Sequence, residues 1–150
     1  MQLDPRIWNC KGLQNANVPA AGGRFTAVAL ASFYNDLIHG KVLSKEVLDS
    51  IISSSSVNEI SSGGALQGVT RITNDSDNTY TKVNFGYQRI RTDRDKKESF
   101  SCLGHSGVGG SIGFVHLKSG LCVGVMLNKA DGDFEVPKRI LQIIADHYNI

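Results

Sequence analysis

An α+β fold, with an antiparallel β-sheet flanked by helices, is predicted by three features of this sequence. Apolar residues recur at helical spacing near both ends of the chain, while the stretch between about 79 and 127 is rich in β-prone residues. The triplet Lys118-Ser119-Gly120 separates two such apolar pieces, and so short a link admits only an antiparallel hairpin. A length of 150 residues with 41% hydrophobic content suits one domain, 1–150, with one sizeable core.

Residues 1–23 show no sustained periodicity and hold Pro5 and Pro19, which makes them a lead-in segment. Over 24–39, Phe25, Val28, Ala29, Phe33 and Leu37 recur with helical spacing, and Gly40 stands where such a helix ends. His39, at that end, faces the negative pole of the helix dipole. Ser44 is an N-cap for a shorter helix carrying Val47, Leu48, Ile51 and Ile52, so the two form a helical hairpin. Serine, glycine and asparagine then dominate to about residue 78, which reads as loop and irregular strand with β-prone pieces such as 69–73.

A strand is expected from Thr79 through Gly86-Tyr87 to Ile90, and the mixed-sign charges from Arg89 to Glu98 read as a solvated hairpin tip. Phe100 to His105 pairs back alongside it. A glycine-rich turn follows, then a second strand, the Lys118-Ser119-Gly120 connection and the run Leu121 to Leu127. That run is apolar at nearly every position, as in a strand buried on both faces and not at a solvated edge. Pro137 opens a last helix whose Ile140, Leu141, Ile144 and Tyr148 share one face, which lies on the sheet.

Several function classes find no support. A net charge of +2 with dispersed Lys and Arg leaves no footprint for nucleic acid. No apolar run reaches the ~20 residues of a membrane span, and three cysteines without a C-x-x-C spacing signal neither a disulfide framework nor a zinc site. Reduced thiols and an intracellular, cytoplasmic setting are the expectation. The four histidines are scattered without a carboxylate cluster, so no metal and no cofactor is expected.

The glycine-rich turn approaches three known patterns and misses each at a required residue. Gly104 to Ser111 has P-loop spacing, but Gly110 occupies the lysine position and a strand follows. Gly104-His105-Ser106-Gly107-Val108 approaches a nucleophile elbow, but Val108 replaces its last glycine, which disfavours an α/β-hydrolase using Ser106. Gly107-Val108-Gly109 opens like a dinucleotide fingerprint, with Ile112 at the third glycine.

Taken in order, Val18-Pro-Ala-Ala-Gly-Gly-Arg-Phe-Thr-Ala27, Leu43-Ser44, Phe85-Gly86-Tyr87, the run Gly104-His105-Ser106-Gly107 with Gly109-Gly110-Ser111, and Met126-Leu127-Asn128 resemble the C-terminal part of the serine β-lactamase and penicillin-binding-protein-like family, on its class C and esterase side. The resemblance covers nearly all of this chain but only the last part of a typical member, and implies a partial β-lactamase/transpeptidase-like fold. It implies that His105 takes the cationic or proton-relay position of the third motif. Ser106 would hydrogen-bond a substrate carboxylate or carbonyl, Gly107 would keep the strand open, and the Val108 N–H would be an oxyanion-hole donor. Complete relatives hydrolyse amides or esters through an acyl-enzyme. Here there is no Ser-x-x-Lys and no Tyr-x-Asn anywhere, so the resemblance implies a chain without its nucleophile, inactive alone. It also implies an unpaired outer edge on the strand Leu121 to Leu127, which is met by a companion chain, by residues 1–20 of this chain or by self-association. The reading from another class is a noncatalytic protein-interaction module that uses this edge.

Overall fold

The computed structural model describes residues 9–16, 18, 22–53, 58–61, 71–72, 80–84, 86–92, 100–107, 109–129 and 135–150. A short helix α1 (Lys11–Gln14) precedes α2 (Ala27–Ile38) and α3 (Lys45–Ser53). Seven strands follow among the described residues: β1 (Asn58–Ser61), β2 (Arg71–Ile72), β3 (Tyr80–Asn84), β4 (Tyr87–Thr92), β5 (Cys102–Ser106), β6 (Ile112–His116) and β7 (Cys122–Val125). Helix α4 (Glu135–Tyr148) comes last. The sheet runs β1-β3-β4-β5-β6-β7, every neighbour on that path antiparallel, while β2 pairs in parallel with Arg91 and Thr92 of β4. The fold is α+β, as the sequence predicts.

Helix α2 starts three residues later than its apolar spacing suggests. Thr26, in extended conformation, accepts the Ala29 N–H at 3.1 Å and so caps the first turn. The other end closes at His39 and at Gly40, whose φ of +73° is the left-handed geometry that glycine supplies. Ser44 caps α3 through the Val47 N–H, as its position before that helix predicts.

Two apolar clusters lie on opposite faces of the sheet. Tyr34 and Leu37 of α2 and Leu48 and Ile51 of α3 pack on Leu103 and Val115. Leu141 and Ala145 of α4, with Ile150, pack on Ile90, Cys102, Ile112, Phe114, Val123 and Val125. The cross-strand register explains this division, because Gly104 faces Phe114 and Phe114 faces Val123, so alternate residues of three strands share a face. Each fully buried Phe or Leu contributes about 1.5–3 kcal/mol of apolar transfer.

Four expectations need correction. The segment 79–90 is not one strand but a hairpin: Asn84 pairs with Tyr87, and Gly86 turns the chain at φ +85°. A two-residue link with glycine second is the signal for such a turn, and the continuous alternation on either side hides it. The charge cluster does not begin as a solvated tip, since Arg89 and Arg91 belong to β4. There the Arg89 guanidinium donates to the last carbonyls of α3, Ile51 and Ile52, at 3.3 Å and lies 4.5 Å over the Phe100 ring. The rest of the proposed tip, 93–99, lies outside the described residues.

Apolar spacing also misassigns faces. In α2, Val28 is 76% exposed and Phe33 is exposed, as is Phe25 just before the helix, while the sheet takes Leu30, Tyr34 and Leu37. In α4, Tyr148 is exposed, and Ala145, with Ile150 just beyond the helix, is buried in its place. Finally, β7 ends the path of the sheet, so its apolar composition does not place it at the centre. Its inward residues Val123 and Val125 alternate with Cys122 and Gly124 under α2, and the helix supplies the cover that a further strand layer would give.

Candidate functional site

The candidate site is the end of β5, where the strand runs into the glycine-rich turn. Strand β4 falls short here: Gln88 pairs with Gly104, so the main-chain partner of Ser106 would be Gly86, already inside the β3–β4 turn. The Gln88 side chain substitutes for the missing backbone. Its Oε1 accepts the Ser106 N–H at 2.8 Å and the Ser106 hydroxyl at 2.9 Å, and both residues are buried.

One residue earlier the side chain points the other way. His105 is exposed, on the α2 side of the sheet, and its Nδ1 lies 2.7 Å from the Ser106 carbonyl oxygen. A carbonyl only accepts, so Nδ1 carries the proton and a neutral ring leaves Nε2 as an acceptor. Beneath it, the Tyr34 phenol is buried between helix and sheet. Burial, with Tyr87 adding to it, pushes its pKa well above the usual phenol range, while a hydrogen bond from the His105 backbone works in the opposite direction. Helix α2 thus holds the main chain of the very residue whose ring is exposed.

Gly107 is exposed and donates its N–H to the Ser111 carbonyl at 2.7 Å, and Gly110 donates to the Gly107 carbonyl at 3.1 Å. Ser111 Oγ accepts the Leu127 N–H at 3.1 Å, which ties the turn to the far end of the sheet. At Gly110, φ is +95°, and a Cβ there would lie 2.9 Å from Leu127 Cδ1 and 3.0 Å from Pro137 Cγ. The turn is therefore wedged between β7 and the start of α4, and only glycine fits its corner.

No family model matches the chain, and no curated protein matches it in sequence.

Of the four residues singled out from the sequence, His105, Ser106 and Gly107 are consecutive at one strand end, and Val108 lies outside the described residues. His105 and Gly107 are open to a ligand. The Ser106 hydroxyl is engaged by Gln88 on the opposite face, so a substrate would meet it only by displacing that amide. Gln88 and Tyr34 are the residues that sequence reasoning passed over as site components. Gln88 had a signal, a polar residue at the buried parity of an otherwise alternating strand. No group of three or more His, Cys, Asp or Glu among the described residues is placed to hold a metal. Nor is any described helix long and apolar enough to cross a membrane.

Proposed function

We propose that the end of β5 is one wall of a substrate cleft of the serine β-lactamase-related hydrolase type, in a chain that lacks the attacking serine. The observation that carries this reading is the alternation at 105–107: an exposed imidazole, a hydroxyl turned inward and held, then an exposed glycine at a strand end that its neighbour does not cover. In that arrangement the exposed His105 ring, with Nδ1 on the Ser106 carbonyl, has Nε2 left to accept a proton when neutral, and the exposed, side-chain-free surface at Gly107 leaves room for an amide or ester beside the strand end. Without Ser-x-x-Lys there is no nucleophile for the wall to assist, so the chain alone binds such a ligand and does not turn it over. An intracellular setting belongs to the same proposal and rests on the odd cysteine count.

The test has two arms. Backbone amide resonances followed during titration with a β-lactam or a short ester should shift at His105 and Gly107, and His105→Ala should abolish the response. Incubation with a serine-directed acylating probe should leave the intact mass unchanged. Absence of any shift near β5 overturns the binding wall, and an adduct lost in Ser106→Ala overturns the missing nucleophile.

A further inference from the structure

We infer that the free edge of β7 and the outward flank of α2 together form a two-fold interface that takes a second copy of this chain. This goes beyond the hydrolase reading and does not depend on it.

Hydrogen bonds on the inner side of β7 fix which groups point outward. His116 N–H donates to the Leu121 carbonyl, the register pairs Phe114 with Val123 and Ile112 with Val125, and Leu127 N–H reaches Ser111 Oγ. Odd-numbered residues therefore bond inward, and by the alternation of an antiparallel ladder the N–H and C=O groups of Cys122, Gly124 and Met126 point away from β6. Among the described residues no strand lies on that side. A strand with the same spacing of outward groups satisfies them, and β7 itself is one. A two-fold axis perpendicular to the sheet beside Gly124 sets Gly124 opposite Gly124 and Cys122 opposite Met126, with about six hydrogen bonds between the copies.

The same operation also fits the helices. Leu30 and Tyr34 of α2 meet Gly113 on β6, while Ala27 and Ala31 meet Gly124 on β7, so the helix sits over the seam between the last two strands. Strands pair about 4.8 Å apart, and a helix over that seam lies two spacings from its two-fold mate, roughly 10 Å. That is the separation at which two helices pack. Continuing round α2 past Ala27 and Ala31 on the β7 side come Asn35, Val28 and Ser32, all exposed, with Val28 at 76%. None of the three carries a charge that an identical flank would repel. Val28 supplies apolar surface, Ser32 is small enough to permit close approach, and the Asn35 amide carries both a donor and an acceptor. One axis thus joins an unsatisfied strand edge to its like and an exposed, uncharged helix flank to its like, which is what an isologous interface requires.

Sedimentation and amide hydrogen exchange test this on the unmodified chain. The expected result is a concentration-dependent dimer in which the amides of Cys122, Gly124 and Met126 become protected as the dimer forms, while those of Val123 and Val125 are protected at every concentration. Val28→Lys puts like charges across the axis and Met126→Pro removes one outward donor. Each should raise the dissociation constant by about 10²-fold or more with the monomer fold unchanged by circular dichroism. A chain that stays monomeric at hundreds of micromolar overturns the proposal. So does a dimer whose three outward amides exchange as fast as in dilute solution.

Discussion

Gln88 Oε1 accepts two hydrogen bonds from Ser106, one from its N–H at 2.8 Å and one from its hydroxyl at 2.9 Å. The two ends of this contact are unequal in consequence. Removing the amide orphans a buried N–H and a buried hydroxyl together, whereas removing the hydroxyl leaves the N–H bond in place. Gln88→Ala should therefore cost about 1–3 kcal/mol, and Ser106→Ala about 1 kcal/mol or less. Urea denaturation of the two variants checks the order.

Glycines under α2 set how close the helix lies to the sheet. A Cβ at Gly113 would fall 2.6 Å from Leu30 Cγ and from Tyr34 Cε2, both side-chain atoms with some freedom to move. One at Gly124 would strike the Ala27 carbonyl, which is helix backbone and cannot rotate away. Gly113→Ala should cost about 1–3 kcal/mol and Gly124→Ala more, read as a drop in thermal midpoint.

Alkaline pH should weaken the fold through Tyr34. Its phenol is held above the ordinary value of 10.0, first by burial and then by Tyr87, so the folded state keeps a proton that the unfolded chain releases. A raised pKa contributes stability that is complete below the unfolded value and lost above it. Stability should be level up to about pH 10 and fall beyond. Tyr34→Phe should flatten that fall, measured as urea midpoints between about pH 9 and pH 11.

The three thiols should react in a definite order. Cys10 is exposed, Cys122 is part-buried with its pKa raised by desolvation, and Cys102 is fully buried. Alkylation followed by mass spectrometry should label Cys10 first, Cys122 second and Cys102 only on unfolding.

Legibility in the sequence followed the range of the forces involved. The caps at Ser44 and Gly40, the tight link before Gly120 and the helix beginning near Pro137 are local chemistry, and all were readable. The choice of buried face on α2 was not, because Phe25, Val28 and Phe33 are as apolar as Leu30 and Leu37, and only the glycines at 113 and 124, far along the chain, decide which side can approach. At the site, the glycine-rich turn marked the place. Which way each side chain faces depended on the parity of β5 and on Gln88, which lies 18 positions upstream of Ser106. Arg89 shows the same limit, as a charged residue whose partners, the final carbonyls of α3, lie 37 and 38 positions away.

Synthesis proceeds from the N-terminus, so α2 leaves the ribosome well before the two strands that form its floor. Helix α3 can shelter part of Leu37 and Tyr34 early, but the contact of Leu30 and Tyr34 with Gly113 must wait until β6 has been made. The C-terminal meander can zip by short links, yet it closes on a helix from the opposite end of the chain, and that late docking is where slow steps or capture by chaperones should concentrate.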